Sequence, residues 1–144
     1  MTKKTTITKK EISDRRLMSL AKKAAKKSYS PYSHFAVGAA LLTADDEVFT
    51  GCNIENASFT PTVCAERVAV FSAVSKGITE FKKLAIVGYS HGEIKGFAYP
   101  CGVCRQVLRE FCDLDFPVIV TDGKSLRKYT LGELLPESFT KDDM

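Results

Sequence analysis

Cys64-Ala65-Glu66, followed 37 positions after Cys64 by Cys101-Gly102-Val103-Cys104, obliges two distant stretches of this chain to meet at one point. Three thiols make an incomplete tetrahedral zinc site. Zinc held by three protein groups keeps its fourth position for water, whose pKa it lowers from about 15.7 to roughly 7. A carboxylate two residues beyond the first thiol is not needed as a ligand, which leaves Glu66 to handle that water's proton. The spacing therefore asks for a fold that sets residue 64 beside residues 101 and 104, and it points to a hydrolytic enzyme.

The remaining composition agrees with a cytoplasmic chain. Five cysteines, an odd number, stand in 144 residues whose first 16 lack the apolar core of a secretory signal. Reduced thiols that bind metal or do chemistry are expected here in place of a disulfide framework. Hydrophobic residues at 44% and charged residues at 26% describe a globular chain, and its length is that of a single domain, read as residues 1–144 with 1–12 as a basic extension. No apolar run approaches the roughly 20 residues a membrane helix needs. Residues 1–27 carry ten Lys/Arg against Glu11 and Asp14, whereas the remainder is mildly acidic within a net charge of +4. A basic start of this kind serves either a nucleic-acid contact or the solvated face of an amphipathic helix, and the second is the better reading.

That helix is expected within residues 9–28, where Ile12, Leu17, Leu20, Ala21, Ala24 and Ala25 recur at helical spacing. Thr8 and Glu11 have the spacing of a capping box, and Ser30-Pro31 ends the pattern. Phe35–Thr43 and Val48–Ile54 read as an antiparallel hairpin, with Gly38 permitting close backbone approach. Cys64–Ser75 is helical and stops at Gly77; Leu84–Tyr89 is a strand; residues 90–100 form a loop; Cys101–Phe111 is helical again. Val118–Thr121 and Leu126–Leu131 are strands joined by Asp122-Gly123, with a last helical turn before Pro136. The order α-β-β-α-β-α-β-β predicts a three-layer α/β/α sandwich around a mixed sheet of about five strands.

Each half of the cysteine motif falls at a helix start, where unpaired N–H groups and the macrodipole favour thiolate. Three thiolates on Zn²⁺ leave a net charge of about −1, which works against acidifying a bound water and calls for compensation. The helix starts supply some, and Arg67 supplies more if its guanidinium donates to a cysteine sulfur; an ordinary surface arginine is the equal alternative on spacing alone. Cys52 or Cys112 would close the site as a fourth thiolate, but each sits at the end of an element, where a cysteine usually serves as a small buried hydrophobe. His34 and His91 have no partner at ligand spacing and read as surface residues.

Cys64-Ala65-Glu66 with Pro100-Cys101-Gly102-Val103-Cys104 is the three-cysteine form of the zinc deaminase pattern. Beyond it, Ser30-Pro31-Tyr32-Ser33-His34-Phe35-Ala36-Val37-Gly38, Gly51-Cys52-Asn53-Ile54-Glu55-Asn56-Ala57, Cys104-Arg105-Gln106-Val107 and Leu134-Leu135-Pro136 with Phe139 resemble the small homotetrameric cytidine deaminases. That resemblance implies hydrolytic deamination of cytidine and 2′-deoxycytidine in pyrimidine salvage, with one Zn²⁺ per subunit on Cys64, Cys101 and Cys104. In it a zinc-bound hydroxide attacks C4 and Glu66 shuttles the protons. It also implies that Asn53 and Glu55 bind the ribose hydroxyls, Phe35 packs on the pyrimidine face, and the Ala65 N–H meets the base carbonyl. Phe139 then reaches the site of a neighbouring subunit. Phe59, where the family often has tyrosine, and the Thr60-Pro61-Thr62-Val63 loop depart from the pattern and bear on fine substrate preference. The alternatives are a deaminase of another cytosine compound, a nucleoside antibiotic or nucleic acid, and a non-catalytic zinc-stabilised module.

Overall fold

The computed structural model describes residues 11–144. Its first helix, α1 (Asp14–Ala25), starts where Ser13 in extended geometry accepts a hydrogen bond from Arg16 N at 3.1 Å. The helix therefore begins later than a Thr8/Glu11 capping box would place it: Glu11 lies ahead of the helix, and Thr8 lies outside the described residues. Ser13 is the better cap because Asp14 follows it in the first turn, where the helix dipole favours a carboxylate. Asp14 also receives Lys83 and Lys128, each at 2.9 Å, and so ties α1 to two strands. Burial raises its pKa, but the two lysines outweigh that and hold the carboxyl below its usual range.

Five strands follow: β1 (Phe35–Thr43), β2 (Val48–Cys52), β3 (Phe81–Ser90), β4 (Pro117–Thr121) and β5 (Leu126–Thr130). They form one sheet in the order β2-β1-β3-β4-β5, parallel only between β3 and β4 and antiparallel elsewhere. The parallel pair needs a crossover, which α3 (Gly102–Phe111) supplies. The hairpin of β1 and β2 is as read from the sequence, except that β2 ends at Cys52, because Ile54 leaves to bridge Tyr29 and Val63. β3 begins three residues ahead of the expected Leu84, at Phe81; its lysine pair is tolerated because Lys82 finds Asp46 and Lys83 finds Asp14.

Strand alternation divides the core into two. On one face Leu17, Met18 and Ala21 of α1 pack on Ala40, Leu42, Ala85, Val87 and Ile119. On the other, α2 (Ala65–Val74) and α3 bury Ala69, Val70, Ala73 and Leu108 against Leu41, Leu84, Ile86 and Val118. The expected α/β/α layering follows from these two clusters. α2 closes at Gly77, whose φ of 82° lets Ile78 N–H reach Ala73 O at 3.1 Å and its own N–H reach Val74 O at 2.9 Å. A short α4 (Leu131–Leu134) is opened by a capping box between Thr130 and Glu133. Among the described residues no helix is long and apolar enough to cross a membrane.

Two glycines set how closely the layers approach. A Cβ on Gly38 of β1 would run into Ala21 O and Ala25 N of α1, and one on Gly51 of β2 into Ala65 O and Ala69 N of α2. In both cases the obstacle is helix backbone, which cannot rotate away. Gly51 thereby holds the first turn of α2, and with it Ala65 and Glu66, hard against the sheet. Gly38→Ala is expected to lower stability by about 1–3 kcal/mol, read as a drop in the urea midpoint with the slope unchanged. A variant as stable as the parent would show that α1 does not rest on β1 backbone as described.

Candidate active site

Two helix starts build the centre of the site. Cys64 is the N-cap residue of α2 and Cys101 that of α3, and neither spends its side chain on capping. Cys104, one turn into α3, is fully buried. The three Sγ atoms lie within 4.8 Å of one another, with Cys64 and Cys101 at 3.6 Å. Sulfurs placed about 2.3 Å from a tetrahedral ion would stand about 3.8 Å apart, so the gap is of the right size. Its protonation pattern agrees. The hydrogen bond with Cys104, with Arg67 and Cys101 adding to it, brings the Cys64 thiol down to about 5, whereas that same bond, burial and the Glu66 charge push Cys104 up. Sulfurs that must share protons at this distance would release them to a cation set between them. The soft donors and their spacing fit zinc.

Arg67 donates from Nη2 to Cys64 Sγ at 3.4 Å, a placement from which its guanidinium would offset charge on that sulfur. Cys112 is instead buried in the core beneath α2 and α3, and Cys52 is half-buried at the end of β2. Neither belongs to the thiol cluster. His34 and His91 are exposed and lie against each other with ring centroids 5.4 Å apart, and neither joins the thiol cluster.

Glu66 is 4% exposed, and its Oε2 accepts from Cys104 Sγ at 3.7 Å. Burial first, and the neighbouring Cys64 charge second, push its carboxyl up to about 7. A carboxyl in that range both takes and gives protons at neutral pH. It opens on a cavity of about 550 Å³ lined by Phe35, Asn53, Glu55, Ala65 and Cys101 among others. Ala65 is the first residue of α2, so its N–H has no partner within the helix. Phe35 lies 38% exposed with its ring on Gly88, where any Cβ would strike it.

Asn53 and Glu55 are held in different ways. The Asn53 carboxamide accepts from Val37 N at 2.8 Å and from Ser28 Oγ, and donates to Phe35 O at 2.8 Å, so one Nδ2 hydrogen is left for a ligand. Glu55 Oε1 accepts from Tyr32 N at 3.0 Å and Ser33 N at 3.2 Å, and Oε2 has no hydrogen-bond partner among the described residues. Hydrogen bonds from Ser33, helped by Tyr32 N, hold this carboxyl below its usual range, so it is an acceptor at neutral pH. Phe139 is 61% exposed and lies outside the lining of the cavity in its own chain, with its carbonyl accepting from Gln106 Nε2 at 2.9 Å.

Phe97, Ala98 and Tyr99 also line the cavity, although residues 90–100 read from the sequence only as a connecting loop. The available signal was two aromatic residues, two apart, directly ahead of Pro100-Cys101.

Comparison with known proteins agrees with this geometry. The family profile for the cytidine and deoxycytidylate deaminase zinc-binding region matches residues 11–120. The chain is 46% identical over 130 residues to a cytidine deaminase of Sporosarcina psychrophila, covering 90% of this chain and 93% of that one. It is 44% identical over 128 residues to the cytidine deaminase of Mycobacterium tuberculosis, covering 86% and 87% respectively. The crystal structure of a cytidine deaminase from Burkholderia pseudomallei superposes with a TM-score of 0.82 at 44% identity, over 89% of this chain and all of that one.

Metal analysis separates the roles of ligand and neighbour. Cys101→Ala is expected to lose zinc outright, whereas Arg67→Gln keeps one zinc per chain but yields it to a competing chelator at roughly ten- to hundredfold lower concentration. Unchanged chelator resistance in Arg67→Gln would remove the arginine from the metal's support.

Proposed function

The chain belongs to the cytidine and deoxycytidylate deaminase family, and on that premise we propose that its cavity takes free cytidine and 2′-deoxycytidine and, with water, releases uridine or 2′-deoxyuridine and ammonia. It is a zinc-dependent cytidine deaminase. The observation that carries the residue-level reading is a buried carboxyl, Glu66, set beside three converging sulfurs at the wall of a nucleoside-sized cavity.

Cys64, Cys101 and Cys104 would hold the zinc, which would supply a Lewis acid able to acidify a water beside Glu66. Glu66 accepts the proton which that water gives up as its oxygen bonds to C4, and delivers it to ring N3. The same carboxyl carries the second proton to the exocyclic nitrogen, and the C4–N bond breaks with loss of ammonia. A pKa near 7 suits a group that must take and return a proton in each turnover. Ala65 N–H binds the base carbonyl at O2 and Phe35 covers the pyrimidine face. Glu55 accepts from a sugar hydroxyl through Oε2, and Asn53 donates its remaining amide hydrogen to the sugar. We place the enzyme in the cytoplasm, where its five cysteines stay reduced.

A homotetramer is part of the proposal. Phe59 at 72% and Phe139 at 61% exposure stand out with Tyr29, Tyr32, Ile54 and Phe71 as large apolar side chains left on the surface of one chain. In the assembly Phe139 closes a neighbour's cavity. Phe139→Ala should raise the KM for cytidine in sedimenting tetramers; a monomeric parent protein with full activity contradicts this arrangement.

Loss of absorbance as cytidine is consumed reports the reaction directly. Removing zinc with a chelator should abolish turnover, and adding zinc should restore it. Glu66→Gln should retain its zinc and lose at least about a thousandfold in kcat. Near-normal kcat in a folded, zinc-loaded Glu66→Gln enzyme would take the proton-carrier role away from this residue.

A further inference from the structure

The segment Phe97-Ala98-Tyr99 is clamped from outside the cavity. The guanidinium carbon of Arg127 lies 4.0 Å from the centroid of the Phe97 ring, a cation–π contact. Tyr129 meets Tyr99 edge to face, with centroids 5.7 Å apart and hydroxyl oxygens at 3.3 Å. The two clamping residues are two positions apart on β5 and so share one face of it, and they pair with Val120 and Val118 of β4. Those valines are buried in the core beneath α2 and α3, so the clamp stands on a fixed base. The segment itself runs from Gly96, at φ 131°, to the buried Pro100, with Phe97 half-buried and Tyr99 still 43% exposed beside the clamp.

The position of this clamped segment around the cavity follows from the proposed placement of the base, on which the inference rests. Ala65 and Glu66 of α2 take O2 and N3, and C4 faces the three sulfurs. Phe35 covers one face of the ring, and N1 carries the sugar. The edge left over is C5–C6, opposite the one that faces α2. Of the other lining residues, Ser33 and Val37 are bonded to Glu55 and Asn53, and Thr62 and Val63 to Asn56 and Ile54, which puts them at the proposed sugar end; Phe97-Ala98-Tyr99, close ahead of Cys101 in the chain, is the wall left for the base. Gly88 fixes the corner, since a Cβ there would meet both the Phe35 ring and Ala98 Cβ.

We infer that Phe97-Ala98-Tyr99 is the wall against the pyrimidine C5 edge, and that Arg127 and Tyr129 are positioning residues that set how large a C5 substituent the enzyme accepts. The substrate class at issue is cytosine nucleosides bearing a group at C5. Arg127 and Tyr129 touch the wall and not the reacting atoms, so their loss shows in discrimination more than in the chemical step.

The test compares kcat/KM for cytidine and 5-methylcytidine in zinc-loaded parent enzyme, Arg127→Gln, Arg127→Lys and Tyr129→Phe. A firm wall makes the parent prefer cytidine by roughly tenfold or more, the usual worth of one methyl group in a close-fitting site. Arg127→Gln and Tyr129→Phe should each raise the 5-methylcytidine to cytidine ratio at least about threefold, with the change carried by KM. Arg127→Lys keeps the charge but not the flat stacking surface, and should fall between parent and Arg127→Gln. A parent enzyme indifferent to the methyl group overturns the inference, as does a ratio that stays within about twofold in both Arg127→Gln and Tyr129→Phe, or a change confined to kcat. Zinc-loaded parent enzyme that turns over neither nucleoside would instead overturn the proposed function, so the two failures are distinguishable.

Discussion

Three sulfur atoms from two helix starts have to occupy one small volume, and much of the architecture meets that demand. α2 and α3 lie on the same face of the sheet, and their N-cap cysteines come within 3.6 Å at the sulfurs. Helix starts suit the purpose because their unpaired N–H groups stabilise negative charge where three thiolates would otherwise repel one another. The parallel pairing of β3 with β4 follows from the same demand, because it requires a helical crossover and that crossover is α3. Gly51 then lets α2 sit close enough to the sheet for Glu66 to be buried beside the sulfurs.

Electrostatic compensation is local. Arg67 aims one end of its guanidinium at Cys64 Sγ, while its Nε is buried without a hydrogen-bond partner among the described residues. A buried donor left unpaired costs on the order of 1–3 kcal/mol, so stability is given up at a point where the ligand charge has to be balanced. Glu66 shows the same tension from the other side. Burial removes the water that would favour its ionised form, and so holds it near neutrality, where a proton carrier is useful.

Most of the element order was legible because α1, β1, β2 and the two cysteine helices carry unambiguous periodicity or punctuation. Gly38 and Gly77 could be read from the sequence because close approach and helix closure each demand glycine. The cysteines and Glu66 could be read because metal chemistry fixes residue type as well as spacing. What stayed hidden depended on contacts between residues far apart in the chain. Ser13 displaces the Thr8/Glu11 capping box because Asp14, next to it, is held by Lys83 and Lys128, some 70 to 115 positions away. Lys82 and Lys83 masked the start of β3 because their partners, Asp46 and Asp14, lie 36 and 69 positions away. Phe97 and Tyr99 read as ordinary loop residues, since nothing local signals that β5 returns to cover them.

Asn53 has a consequence of another kind. Its carboxamide holds the backbone at Phe35 and Val37, where β1 begins, and it also lines the cavity. A side chain that serves strand geometry and ligand contact together cannot be varied for one without disturbing the other. Glu55 carries no such double duty, because its bonds go to a turn at Tyr32 and Ser33 outside the sheet. On the proposed placement of the sugar, divergence at that end of the cavity would be channelled through position 55 and the turn beneath it, while position 53 is held by the scaffold. The room for evolving, or engineering, new sugar selectivity is correspondingly one-sided.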